Sequence, residues 1–327
     1  MKLGIYGFGS IGRLLAKVSM LRGHEITGVV DIDERIVGVD IGELLGAGKY
    51  GVNVSRDVRS LRESDVVLHA TGSYLDEVYE QIVRVAEMGI SVVSTCETLA
   101  FPYYRYPVLA RKIDEIARDY GVVVVGTGIN PGFLLDTLVA VLSSTVPAVK
   151  RVIAVRSLDA AKRREPFRRK IGVGEDPRVV KEMLEKKQIT GHVGYAESVY
   201  LIASAGDLEL THVVEHQEPV SAEETVESAG VRVEKGLNKG IRGYGVGYLG
   251  NREVIRVEFH AYVGAPEYDE ITIVGEDYGL TWRSTGTPGD MGTASVVVSV
   301  AEKALWFPPG LRLMTELIPF KVRFSVQ

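Results

Sequence analysis

Short apolar runs separated by amphipathic stretches fill the first part of the chain. KLGIY, EITGVV, DVVLH, ISVVS and VVVVG are continuous apolar segments, and between them SIGRLLAKVSML, a stretch from about Leu75 to Met88 and another from about Leu109 to Tyr120 repeat their apolar residues with helical spacing. Unbroken apolar strands joined by helices predict a parallel sheet covered on both faces. Beyond Val149 the period changes to two. VIRVEFHAYV places Ile255, Val257, Phe259, Ala261 and Val263 on one face and Arg256, Glu258, His260 and Tyr262 on the other, which predicts an antiparallel sheet with one buried face. The polar face is open to three readings: it lines a substrate cleft, pairs with a second copy, or faces water. Near the end, a loop over residues 286–292 precedes a long apolar helix that is expected to pack back on the first part.

The turn after the first strand reads Gly7-Phe8-Gly9-Ser10-Ile11-Gly12 and opens a helix; a second strand then leads to Asp31. Strand, glycine turn, helix and acid in this register form a dinucleotide-binding unit. Gly7 permits the tight turn, Gly9 lets a pyrophosphate approach the backbone of Ser10 and Ile11, and Gly12 lets helix pack on strand, with the helix N-terminus facing the phosphates. Asp31 is placed to accept hydrogen bonds from the adenosine ribose, which favours NAD. Arg35 lies close enough to accommodate the extra phosphate of NADP, so the cofactor is NAD or NADP with NAD preferred.

Later strands end in small polar residues: Ala70-Thr71-Gly72-Ser73, Ser94-Thr95-Cys96-Glu97 and Gly126-Thr127-Gly128. Ligands of open parallel sheets bind beyond the carboxyl ends of strands, so Ala70, Thr71, Gly72, Thr95 and Glu97 are candidate cofactor contacts. Cys96 reads as a small residue packed beside the cofactor. In GTGINPGFLLDT, Asn130 and Pro131 read as a helix start, and the surrounding glycines leave room for a flat ring, so Asn130 is expected at the nicotinamide and the substrate.

In the second half, His192 sits between flexible residues before a helix and is the first candidate for proton transfer; Lys170 is the second. His192 also reads as a surface or capping histidine. Asp136 and Glu197 are candidates to hold an ammonium group, or are helix-surface carboxylates. The basic run KRREPFRRKIGVG is a solvated face, or supplies Arg163 and Lys170 to a substrate carboxylate. Asp290 is a first-turn acid of the last helix or a substrate contact. HVVEH, residues 212–216, resembles an inverted zinc-protease motif, but its setting alternates as a strand, where residues four apart lie roughly 13 Å apart, and no metal is expected.

These elements predict an α/β protein: an N-terminal Rossmann dinucleotide-binding domain over residues 1–128, a mixed α+β substrate and dimerisation domain over 129–287, and a C-terminal helix and tail over 288–327 returning to the first. A chain of 327 residues suits two such domains. The net charge of -5 gives no global attraction to nucleic acid or anionic membrane. One cysteine, no apolar run long enough for a membrane and no signal-peptide pattern at MKLGIYGFGS point to a reducing, cytoplasmic setting.

GFGSIG, VDIGELLG and the strand-end stretches resemble the dihydrodipicolinate reductase-like superfamily. GTGINPGFLLDT, LDAAKRREPFRRKIGVG, GHVGYAES and PGDMGTASVVVSV resemble, within it, the 2,4-diaminopentanoate dehydrogenase family. The resemblance implies NAD(P)-dependent oxidative deamination of a small diamino or amino acid, a cleft between domains, and a homodimer. The His-His stretch and Lys-x-Asp-Ala-Pro-Ser-Gly motif of true dihydrodipicolinate reductases are missing, which argues against that substrate. An imine or semialdehyde reductase and a nucleotide sensor without turnover are the alternatives.

Overall fold

The computed structural model describes residues 1–319, 322 and 324. In chain order it contains β1 (Lys2–Tyr6), α1 (Ser10–Leu21), β2 (Glu25–Val30), α2 (Ile41–Leu45), β3 (Val54–Ser55), β4 (Val66–His69), α3 (Leu75–Ala86), β5 (Ser91–Ser94), α4 (Pro102–Arg105), α5 (Pro107–Asp119) and β6 (Val123–Gly126). There follow α6 (Thr137–Ser143), β7 (Val149–Asp159), α7 (Glu165–Lys170), α8 (Pro177–Glu185), α9 (Tyr195–Ser204), β8 (His212–Ser221), β9 (Val226–Ser228), β10 (Val231–Val233), β11 (Asn238–Leu249), β12 (Arg252–Tyr262), β13 (Tyr268–Gly275), β14 (Gly279–Ser284), α10 (Gly289–Ala304) and β15 (Gly310–Arg312). The chain divides into two compact units, Met1–Phe133 with Pro288–Pro319, and Leu134–Thr287 with the segment from residue 320 onward.

The first unit is built on one parallel sheet in the order β15, β6, β5, β4, β1, β2, β3. Without β15 this is the strand order of a Rossmann sheet, with the reversal of direction beside β1. Both faces are covered, as the unbroken apolar strands require. Val67, Val92 and Val124 pack against α3 and α5 through Val78, Ile82, Ile113 and Ala117. Leu3, Leu68, Val93 and Val125 pack against α1 and α10 through Leu15, Ala294, Val297 and Val298. Burying Val297 and Val298 alone stabilises this face by about 1.5–3 kcal/mol each. β15 is too short to show a period and was not anticipated; it pairs with β6 through Gly310, Leu311 and Arg312.

The second unit carries a sheet in the order β14, β13, β7, β12, β11, β8. The buried face of β12 holds Ile255, Val257, Phe259, Ala261 and Val263, as its alternation predicts. The sheet is mixed, not wholly antiparallel: β12 runs antiparallel to β11 but parallel to β7. Alternation reports a half-buried strand and is silent about its neighbour's direction. β11 reads Gly243-x-Gly245-x-Gly247 on the face toward α9, where a Cβ on Gly243 would lie 2.3 Å from Tyr195 Oη and one on Gly245 2.8 Å from Tyr195 O. The helix therefore rests on bare backbone. His212 and His216 belong to β8, a strand, so the HVVEH stretch is not helical.

Candidate active site

The glycine turn has the geometry a pyrophosphate needs. Gly7 has φ +94°, and a Cβ there would meet Ala70 O at 2.5 Å. A Cβ on Gly12 would lie 1.9 Å from Gly7 O, so α1 packs on the turn with no room for a methyl group. Gly9 differs: nothing lies within 4 Å of its Cβ position, so the space is open and a side chain would intrude on it. Gly9 caps α1 without a side-chain hydrogen bond, and Ser10-Ile11-Gly12-Arg13 carries no acid to oppose an anion. These residues fit a dinucleotide.

Asp31 follows β2. Its carboxylate accepts the Phe8 N–H at 2.5 Å and the Asp33 N–H at 2.9 Å, which ties the glycine turn to the acid expected at the ribose. Arg35 is exposed and its guanidinium binds Asp33 at 2.7 Å, so its hydrogen bonds hold Asp33 down at about 2.

Beyond β4 and β5, Ala70, Gly72, Thr95 and Glu97 are partly exposed and Thr71 is exposed. Behind Thr71 lies His69, a residue the sequence reading passed over because nothing in HATGS distinguishes it from a core residue. Its Nδ1 is 2.8 Å from Ser94 Oγ, and its Nε2 is 3.0 Å from Gln81 Oε1 and 2.8 Å from Thr71 Oγ1. Burial pushes its pKa down to about 4, against a smaller upward pull from the Gln81 hydrogen bond. The neutral ring therefore stabilises the fold fully above pH 6.5. As pH falls from 6.5 through 4, the unfolded chain takes up a proton that the folded chain refuses, and about 3 kcal/mol is lost. We expect the thermal midpoint to drop across that window and the drop to be smaller in His69→Gln, as followed by circular dichroism.

Cys96 is 1% exposed and its Sγ donates to Ser73 O at 3.3 Å. Burial, then the neighbouring Glu97 charge, pushes the thiol up to about 12. A thiolate reagent at pH 8 is expected to leave the folded protein unlabelled and to label one site per chain in denaturant. Rapid labelling of native protein would contradict this burial.

The junction GTGINPG does not start a helix. The Asn130-Pro131 peptide is cis, Gly132 has φ +121°, and α6 begins only at Thr137. Gly132 turns the chain so tightly that its Cβ would lie 2.5 Å from Gly128 N. No helix includes a residue at that φ, so Asn130 and Pro131 belong to a compact loop. Ile129 N–H donates to Thr293 Oγ1 of α10 at 3.3 Å, which fixes this loop within the first unit. Asn130 is thus in the first unit, as is Asp290, which lies in the first turn of α10.

The remaining candidates, Asp136, Arg163, Lys170, His192 and Glu197, belong to the second unit. Asp136 is the N-cap of α6; it is fully buried and accepts from Thr137 N at 2.6 Å and from Ser198 Oγ of α9 at 2.8 Å. Glu197 is fully buried in the first turn of α9. Arg163 and Lys170 lie against the Phe167 ring, at 4.9 and 5.5 Å from its centre. These positions make neither Asp136 nor Glu197 a helix-surface carboxylate.

His192 packs edge-on to Tyr195 at 4.7 Å and tilted on Phe259 at 4.5 Å. Gln217 of β8 holds its backbone: Oε1 accepts the His192 N–H at 2.9 Å while Nε2 donates to Thr190 O at 3.0 Å. The ring does not titrate near neutrality as the sequence reading expected. Desolvation first, then the charges of Lys170 and Arg156, push its pKa down to about 3. The ring is therefore neutral at pH 7.

A doubly wound parallel sheet with an open glycine turn at the mouth of α1 defines a dinucleotide-binding unit, and the same chain carries a second unit built on a mixed sheet. Residues 133–323 match the family described as 2,4-diaminopentanoate dehydrogenase C-terminal domain, and residues 1–97 match the dihydrodipicolinate reductase N-terminus. The chain is 27% identical to the 2,4-diaminopentanoate dehydrogenase of Acetoanaerobium sticklandii, over 97% of this chain and 93% of that one. Among solved structures, an amine dehydrogenase from Mycobacterium smegmatis superposes with a TM-score of 0.85 at 23% identity, covering 100% of this chain and 98% of that one. GenD2 from gentamicin A biosynthesis, in complex with NAD, superposes at 0.57 with 14% identity, over 93% and 86%. These superpositions show a shared fold. The chain belongs to the 2,4-diaminopentanoate dehydrogenase C-terminal domain family, and it is an enzyme, a nucleotide-dependent dehydrogenase.

Proposed function

We propose that the protein is an amine dehydrogenase that oxidatively deaminates a small diamino or amino acid, of the 2,4-diaminopentanoate type, with NAD preferred over NADP. The observation that carries this reading is an open glycine turn at Gly9 in the same chain as a unit that matches the 2,4-diaminopentanoate dehydrogenase C-terminal domain. An amine loses hydride readily only after its ammonium has lost a proton, and His192 is the first candidate to take it. A nicotinamide dinucleotide held at the glycine turn and Asp31 would supply the hydride acceptor for the amine-bearing carbon. Water then converts the imine to a ketone and ammonia, so the ammonium substrate, oxidised cofactor and water give ketone, ammonium ion, reduced cofactor and one proton.

In this reading Arg163 and Lys170 hold the carboxylate, and Lys170 is the second candidate for proton transfer. Glu197, Asp290 and Asn130 are candidate contacts for the amino groups and the amide ring, while Asp136 orients α9 through Ser198. A substrate carboxylate held at Lys170 offsets its charge and raises the His192 pKa above its value in the free protein. NAD preference follows from Asp31 at the ribose position and from the engagement of Arg35 by Asp33. Among the described residues no helix is long and apolar enough to cross a membrane. The single cysteine suits a reducing compartment, and on that ground we propose a cytoplasmic enzyme. We also propose a homodimer, paired through the alternating charges on the polar face of β12 and its neighbours.

The reading is tested by following reduced nicotinamide with NAD or NADP and a panel of 2,4-diaminopentanoate, ornithine, lysine, diaminopimelate and homoserine. Turnover on a diamino acid is expected, faster with NAD. Cofactor binding with no turnover on any amine would sink it in favour of a sensor; turnover only of imines or semialdehydes would favour the reductase.

A further inference from the structure

We propose that His69 is a positioning residue of the cofactor site: through Gln81 it fixes the Thr71 hydroxyl as a hydrogen-bond acceptor, so that Thr71 takes a donor group of the dinucleotide and turns away its phosphates. The proposal rests on dinucleotide binding by the first unit and on no reading of the substrate.

One arrangement of hydrogens satisfies every group in the chain of contacts. Ser94 Oγ accepts the Cys96 N–H at 3.1 Å and in this arrangement donates its own hydrogen to His69 Nδ1 at 2.8 Å. His69 is then the Nε2–H tautomer. Its Nε2–H is shared between Thr71 Oγ1 at 2.8 Å and Gln81 Oε1 at 3.0 Å, and the amide oxygen can only accept. Thr71 Oγ1 lies 2.6 Å from the same oxygen, so its single hydrogen is committed there. A hydroxyl whose hydrogen is committed offers a ligand lone pairs alone.

Thr71 is where a ligand would meet it. The residue is exposed at the carboxyl end of β4, and its Cγ2 lies 2.8 Å from the Cβ position of Gly7 in the glycine turn. A dinucleotide's phosphates are acceptors and find no partner in such a hydroxyl; its ribose hydroxyls and carboxamide N–H are donors and do. His69 itself is 1% exposed and touches no ligand. Its part is to keep Gln81 turned toward Thr71, as a buried hydrogen-bonded group can.

The test uses the full chain and calorimetric titration with NAD, NADP and ADP-ribose. Thr71→Val is expected to weaken binding about 10-fold. Gln81→Leu, which frees the hydroxyl, is expected to weaken it about 5-fold alone but under about 2-fold in the Thr71→Val background, because the two changes act through one atom. A merely structural Gln81 would cost the same in both backgrounds, and that result overturns the proposal. So does a Gln81→Leu variant that binds as the parent does. Equal losses for ADP-ribose and the dinucleotides assign the donor to a ribose; losses confined to the dinucleotides assign it to the carboxamide. Nitrogen NMR of unmodified protein at pH 7 should show the Nε2–H tautomer of His69, and the Nδ1–H tautomer would overturn the arrangement whatever the variants do. Failure of the unmodified protein to bind any of the three ligands would instead remove the cofactor reading, and this proposal with it.

Discussion

Gly12→Ala is expected to abolish dinucleotide binding and to lower the thermal midpoint, whereas Gly9→Ala is expected to weaken binding and leave the midpoint where it is. The two glycines stand three residues apart in one turn, yet they are glycines for different reasons. A methyl on Gly12 would lie 1.9 Å from the backbone oxygen of Gly7, and backbone on both sides leaves nothing flexible to move. The turn and the start of α1 must separate, which costs roughly 1–3 kcal/mol of stability as an overpacked site does. It also misplaces the amides that face the phosphates. A methyl on Gly9 meets no protein atom within 4 Å, so the fold accepts it and only a ligand in that space is displaced. Titration with NAD should show at least about 100-fold weaker binding for the first and about 10-fold for the second. Equal midpoints for the two variants would mean that α1 does not pack on the turn as described.

His192→Asn is expected to lower kcat by about 100-fold, the lower range for a lost general base, while cofactor affinity changes little. The pH profile discriminates between roles. In the free protein Lys170 and Arg156 help hold the ring at about 3, so kcat/KM should show no limb from His192 near neutrality. In the substrate complex a carboxylate offsets the Lys170 charge, so kcat should gain an acidic limb above that value, and this limb should vanish in His192→Asn. An unchanged kcat would remove His192 from the chemistry and leave Lys170 as the candidate.

Much of this was legible in the sequence, for reasons that can be stated residue by residue. The glycine turn, Asp31 and the buried strands of the first unit follow from local geometry: each needs only its neighbours in sequence to be recognised. β12 was legible for the same reason, since Ile255 to Val263 alternate. The start of α6 was not. Asparagine and proline are good helix starters, but Gly132 at φ +121° ends that possibility, and its conformation is set by Gly128 and Thr127 folding back on it. Depressed proton affinity in His192 depends on Arg156 and Phe259, far away in sequence. The His69 relay joins β4, β5 and α3, and no periodicity announces it. The glycine stripe of β11 was visible as letters, but its meaning comes from Tyr195 above it.

α10 and β15 finish a sheet whose other strands were made more than a hundred and fifty residues earlier in the chain. During synthesis the ribosome releases β1 to β6 first, with one face of that sheet still lacking Ala294, Val297 and Val298, and with β6 as an unpaired edge. The whole second unit must emerge before either is covered. For that interval the nascent chain shows an apolar face and an open strand to its surroundings, the two features that most invite association with other chains. Protein ending at Thr287 should therefore collect in inclusion bodies, and α10 with β15 acts as the enzyme's own late-arriving chaperone for its oldest part.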